Sequence, residues 1–185
     1  QLNGKGRRGR QWVSPFGQNI YMSVLKSFDT GAAGLNGLSL VAGIAIIRAL
    51  RHWPVSQLGL KWPNDIYCNG SKVGGVLLEI SGDLQSRCQV VIGLGLNVVA
   101  RAEVMKDITQ PWTDLARNGF NPVSRNQLVA RLLEALVETL DQFQRAGFSS
   151  FREEWAALDL SYGQPVQITG SGAPEEGVGA GIDDS

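Results

Sequence analysis

The 185 residues are 43% hydrophobic and 18% charged, proportions that suit one packed domain, or one domain and part of a second, and exclude a disordered or collagen-like chain. The 17 basic and 17 acidic residues cancel, yet Lys5, Arg7, Arg8, Arg10 and Lys26 all precede Asp29, the first acid. A positive start on a mildly acidic body argues against a uniformly basic surface built to coat nucleic acid.

Gln1 to Gly4 run straight into a glycine and cation cluster with no initiator Met, so further chain is expected upstream. Ile20 to Leu25 reads as a short strand, with Tyr21 and Val24 favouring extended backbone. From Leu35 to Leu50, Leu38, Val41, Ile44, Ala45 and Ile47 form a broad helical stripe. Gly37 and Gly43 weaken that helix by roughly 1 kcal/mol each unless they permit a close approach. Gly, Ser, Asn and Arg interrupt the same stretch, so no membrane span is expected.

Leu58 to Trp62 reads as a strand ended by Pro63, followed by an Asn64-Asp65 turn. After an Asn69-Gly70 turn, Val73 to Ile80 and Gln89 to Val98 read as two strands of a hairpin with a functional mouth at Ser81 to Arg87. Ser124 is a candidate N-cap, with Gln127 at the capping-box position, for a helix reaching about Arg145. Leu128, Leu132, Leu136, Leu140 and Phe143 line one face of it, broadened by Val129, Leu133 and Val137. Phe151 to Leu160 is a further helical candidate, Tyr162 to Thr169 a turn and short strand, Gly170 to Gly181 is poor in large apolar groups, and the final Asp-Asp-Ser provides no closing element. These signals predict helices packed on a largely antiparallel sheet, an α+β fold. Cys68 and Cys88 lack metal-ligand spacing and demand no disulfide framework, which makes a reducing cytoplasm the expected compartment.

The strongest local chemistry is Gly4-Lys5-Gly6-Arg7-Arg8-Gly9-Arg10-Gln11-Trp12. Glycines allow a tight wrap, and the cations neutralise phosphate, Arg with two parallel donors. Phosphate or nucleotide binding, nucleic-acid contact with Trp12 stacked on a base, and a solvated loop with one aromatic anchor all stay open on composition alone. The cluster lacks the P-loop pattern, and Gly93-Leu94-Gly95 completes no dinucleotide fingerprint. In Lys61-Trp62-Pro63-Asn64-Asp65, an ammonium aimed at a pocket would stabilise an anionic oxygen, while Asn64 and Asp65 would orient polar groups or a hydrated metal. A structural turn with a surface lysine is the competing reading. Lys72-Val73-Gly74-Gly75 sets a cation beside backbone able to approach a ligand or to make a bulge. Asn97, after Gly93-Leu94-Gly95-Leu96, is open between a phosphate or Mg²⁺ contact and a plain turn. Trp62 and Trp112 are candidates to frame a flat ligand, Trp12, Trp53 and Trp155 to pack, and His52 to sit at a helix end rather than act as a base.

In this order, the four motifs resemble those of the biotin protein ligases, especially the bacterial group of biotin ligases that double as biotin-operon repressors. The resemblance covers most of the chain, with Lys5 standing where the family commonly has arginine. It implies a class II synthetase-like catalytic domain over residues 1–162 and the start of a truncated SH3-like domain over 163–185. It implies formation of biotinyl-5′-AMP from biotin and ATP with Mg²⁺, then transfer of biotin to a lysine of the biotin carboxyl carrier protein of acetyl-CoA carboxylase. By the same resemblance, Lys61, Arg7 and Arg8 are catalytic, and Gln1, Lys72, Gly74 and Gly75 bind biotin. Lys5, Gly6, Arg7, Arg8, Gly9, Arg10, Trp12, Asn64, Asp65, Asn97 and Trp112 hold ATP or the adenylate, with Asp65 and Asn97 as candidate Mg²⁺ ligands. A homodimer is compatible with the group, and biotin-operator DNA would be a partner only with an N-terminal winged helix-turn-helix. A lipoyl or octanoyl ligase and a noncatalytic phosphate- or nucleic-acid-binding module are the competing functions.

Overall fold

A computed structural model describes residues 1–185 except 84, 122–124, 170–171 and 184–185. Five strands, β1 (Ile20–Phe28), β2 (Leu58–Lys61), β3 (Asp65–Cys68), β4 (Ser71–Gly82) and β5 (Cys88–Leu96), form one antiparallel sheet in the order β1-β5-β4-β3-β2. Two-residue alternation gives it two unlike faces. In β5, Cys88, Val90, Ile92, Leu94 and Leu96 point into the core, while Gln89, Val91, Gly93 and Gly95 point away.

The core face is covered by α1 (Leu38–Leu50) and α2 (Arg125–Ala146). Eleven of the thirteen α1 residues are buried, so the expected stripe is instead a helix apolar on all sides, as a central helix must be. The wider segment Ala32–Leu50 is apolar enough by length and composition to cross a membrane, and here its apolar surface packs into the fold. Gly43 sits against Leu60, where a Cβ would lie 3.0 Å from the Leu60 side chain. Gly37 precedes the helix in the left-handed region (φ 80°), crowded by Phe148.

In α2 the buried stripe is Leu128, Leu132, Leu136, Thr139, Leu140 and Phe143, with Val129 packed at its edge. Leu133 and Val137 are exposed: the contact with α1 and the sheet is narrower than the run of apolar residues. The proposed Ser124 cap lies outside the described residues. Arg48 of α1 forms a fork on Glu154 of α3 (Arg152–Leu158), also reaches Thr139 of α2, and lies over the Phe151 ring. One guanidinium thus ties three helices together.

Two strands depart from expectation. β3 follows the Asn64 turn directly, its four residues too few to show a period. The second sheet is a hairpin of β6 (Pro165–Ile168) and β7 (Glu175–Val178); β7 is exposed along its length, so no burial pattern marks it in the sequence.

Candidate active site

Away from the helices, the open face of the main sheet is hollowed by small side chains in register. Gly75 of β4 stands opposite Gly95 of β5, Gly95 opposite Tyr21 of β1, and Gly93 opposite Ser23. Above them is a cleft of about 1050 Å³, at the upper end of the roughly 300–1,000 Å³ usual for small-molecule sites. The β6–β7 hairpin and the segment after it complete the cleft wall.

The glycine and arginine loop folds back over this cleft. Lys5 bridges Gln11 as an antiparallel pair, Gly6 N donates to Arg10 O at 2.7 Å, and Trp12 N donates to Gly4 O at 2.8 Å. Gly4 is needed for that closure, because a Cβ there would lie 2.6 Å from Trp12 O. At the tip, Arg8 takes a left-handed conformation (φ 57°) before Gly9 (φ 73°), a conformation that a non-glycine residue adopts only where its surroundings enforce it. Arg8 Nη1 donates to the Thr169 carbonyl at 2.7 Å, fastening the tip to the end of β6. Gln1, Lys5, Gly6, Arg7, Arg8, Arg10 and Trp12 line the cleft, whereas Gly9 does not.

The opposite wall is the β2–β3 hairpin. Lys61 pairs in register with Asp65, and Gly59 with Tyr67, so Lys61, Asp65 and Tyr67 share the open face. The turn between them contains a cis Trp62–Pro63 peptide. Asn64 fixes this turn to β4: its Nδ2 donates to Val76 O at 2.6 Å, and its carbonyl accepts from Val76 N at 2.9 Å. Trp62 is half exposed and lines the cleft with Asn64.

Lys72 reaches the site through a β-bulge. Ile66 faces Gly74 while the next residue, Tyr67, faces Lys72, leaving Val73 as an extra residue. The bulge turns Val73 into the core, fully buried, and leaves Lys72 on the open face, the re-aiming that bulges beside functional sites provide. Lys72 Nζ then lies 2.7 Å from Asp65 Oδ1 and 5.7 Å from the centre of the Trp12 ring. Gly75 makes room for this pair, since a Cβ there would meet Asp65 Oδ1 at 3.3 Å.

The two lysines are therefore in different electrostatic states. Lys72 is compensated by Asp65, whereas Lys61 has no ion-pair or hydrogen-bond partner among the described residues and lies 5.7 Å over the Tyr67 ring. Burial, and then the Asp65 carboxylate, push the Tyr67 phenol above its ordinary value, so the group beside Lys61 is a neutral ring at physiological pH. On this wall the cleft thus offers a lysine without a counter-charge, among the described residues, next to one that has one.

Besides Gly9, three of the expected residues lie elsewhere. Gly74 is on the core side of β4 and does not line the cleft. Trp112 joins the backbone of Lys72 in a parallel bridge and lies under Arg117, 4.9 Å from guanidinium to ring centre. Buried Asp114 holds that guanidinium at 2.7 Å. Asn97 is also buried: its Oδ1 accepts from Asn19 and its Nδ2 donates to Thr113 O. Both amide atoms are engaged away from the cleft and Asp65 is engaged by Lys72, so these two residues do not converge on a Mg²⁺ position. No cluster of three His, Cys, Asp or Glu side chains able to hold a metal ion occurs among the described residues. His52 is exposed at the end of α1, outside the cleft.

The cleft also uses residues that the motifs did not include. Tyr21 and Ser23 of β1 share its floor with the motif residues Gly93 and Gly95 of β5, and alternation marks them once the strand register is known. Trp155 and Asp159, around the end of α3, and Thr169 carry no such signal. The loop between β4 and β5, expected to form a functional mouth, contributes none of the lining residues among those described.

A model of the biotin/lipoate A/B protein ligase family matches residues 1–97, which contain all four motifs. The chain belongs to this family. It is 37% identical over 183 residues to the bifunctional ligase/repressor BirA of Escherichia coli, covering 99% of this chain and 57% of that protein. The biotin–(acetyl-CoA-carboxylase) ligase of Paracoccus denitrificans is 34% identical over 190 residues, and the match covers 78% of its length. Among solved structures, the biotin protein ligase of Aquifex aeolicus in complex with biotin and ATP superposes with a TM-score of 0.83 at 30% identity, covering all of this chain and 75% of that one. The family's fold accounts for the antiparallel sheet, the helices behind it and the small β-rich region that follows.

Proposed function

We propose that the protein is a biotin protein ligase. It condenses biotin with ATP to biotinyl-5′-AMP and transfers the biotinyl group to a lysine of the biotin carboxyl carrier protein of acetyl-CoA carboxylase. The observation that carries this reading is the uncompensated Lys61 ammonium facing a glycine-floored cleft under the arginine loop. It is supported by likeness to an Aquifex protein described with biotin and ATP.

In the first step a biotin carboxylate oxygen attacks the α-phosphorus and pyrophosphate leaves. Negative charge concentrates on the phosphoryl oxygens, and Lys61, which carries no counter-charge among the described residues, is the lysine of the β2–β3 wall that meets it. Lys72, held by Asp65, provides a fixed positive group at the acid end without adding net charge. Arg7, Arg8, Arg10 and Lys5 close over the mixed anhydride and keep water from it. In the second step the neutral lysine amine of the carrier attacks the anhydride carbonyl and AMP leaves.

Exchange of labelled pyrophosphate into ATP tests the first half-reaction, with biotin, lipoate, octanoate and no acid compared side by side. Exchange that depends on biotin is the expected result. Preference for lipoate or octanoate would reassign the substrate within the same family, and absence of exchange by folded protein would turn the reading toward a binding module.

A further inference from the structure

Gly93 and Gly95 stand two residues apart on the open face of β5, both at the cleft, and neither is in the left-handed region. The backbone therefore accepts any residue at both positions, and only space discriminates them. A Cβ on Gly93 would lie 3.4 Å from its nearest neighbour, Leu77 O. A Cβ on Gly95 would lie 2.5 Å from Trp12 Cε2, 2.7 Å from Cζ2 and 2.8 Å from Nε1. These are three atoms of one rigid ring, which cannot swing a terminal group aside as a flexible side chain does. The indole lies flat on bare backbone.

That seat is the root of the arginine loop. Trp12 N closes the loop on Gly4 O, and Lys72 Nζ lies 5.7 Å from the centre of the ring. The Trp12 Nε1 donor is buried without an acceptor among the described residues, so the contact with the glycine is what seats the indole there. We propose that Gly95 is a positioning residue for ligand retention: by lacking a side chain it seats Trp12, and the seated indole holds the loop of residues 4–12 closed over the bound acid. This rests on the biotin reading for the identity of the ligand, but not for the seat itself.

Two measurements separate these layers. In protein labelled with 5-fluorotryptophan, five ¹⁹F resonances arise from the five tryptophans, and the one missing from Trp12→Phe belongs to Trp12. Gly95→Ala shifts that resonance while the other four hold their positions; an unmoved Trp12 resonance overturns the seat, whatever the ligand. Biotin affinity is then measured by calorimetry in the wild type, Gly95→Ala, Trp12→Ala and the double variant. Gly95→Ala weakens binding about tenfold, as overpacking against a rigid ring does, and adds nothing once Trp12 is alanine. An equal penalty in both backgrounds, or unchanged affinity with a shifted Trp12, overturns the proposal. A wild type that binds no biotin refutes the biotin reading and the retention role, and leaves the seat to be decided by the fluorine spectrum.

Discussion

Lys61 and Lys72 are both cations in one cleft, but a single carboxylate separates their chemistry. Because Asp65 takes Lys72 at 2.7 Å, Lys61 is left to meet charge that appears during reaction. Lys61→Ala is therefore expected to lower biotin-dependent pyrophosphate exchange about 100-fold or more. Its melting temperature should stay within a degree or so of wild type, because an exposed lysine without a partner holds nothing together; a large fall in melting temperature would assign Lys61 to the fold instead. The lysines were legible from sequence as members of motifs, but their difference was not. It depends on a bulge and a cross-strand register that no local pattern encodes. Asn97 shows the reverse: its strand-end position left a ligand contact and a plain turn open, and it holds Asn19 and the Thr113 carbonyl inside the protein.

Elements were readable where burial imposed a period over many residues, as in α2, β4 and β5. They were not where a segment is short, as in β3, or exposed throughout, as in β7. The helix of α1 was readable as well, but its orientation was not, since a helix surrounded by protein has no polar face to mark it. Between elements, the outer strand β1 is linked to α2 by Lys26 Nζ at 2.7 Å from Asp141 Oδ1. The hydrogen bond from Lys26, and then its charge, hold the Asp141 carboxyl below the ordinary range. A carboxyl depressed in the folded state stabilises above its unfolded pKa and loses that contribution as pH falls through the folded one. Lys26→Met should accordingly melt below wild type at pH 7, with the gap closing as pH falls below about 4. A gap independent of pH, measured by thermal denaturation across that range, would show that the methylene packing matters and the charge does not.

At the scale of the molecule, the cleft is assembled from segments as distant in sequence as Gln1 and Asp183. The Arg8 bond to Thr169 spans 161 positions, and it makes the loop and the C-terminal hairpin two sides of one enclosure. Biotin and ATP together should slow amide hydrogen exchange in residues 4–12 and 165–169 in concert. Protection confined to the loop would mean that the hairpin takes no part in closure. Sequence motifs located the loop and the lysines of the enclosure, because glycine and cation spacing is local. They did not identify its far wall, because the contribution of Thr169 is a backbone carbonyl, which every residue type provides.

The bulge at Val73 also makes β4 a strand with two phases. From Gly74 onward, alternate residues keep one parity, and before Val73 the parity is reversed, so the same strand serves the core with a valine and the cleft with a lysine at adjacent positions. Removing Val73 would restore a single phase with Lys72 still on the cleft side, while emptying a core position and taking away the carbonyl that accepts from Asn97 N. Substituting Lys72 would do the opposite, sparing the core and leaving the Asp65 carboxylate in the cleft without its partner. Loss of one residue and replacement of its neighbour are thus complementary lesions, one of stability and one of chemistry, separated by a single peptide bond.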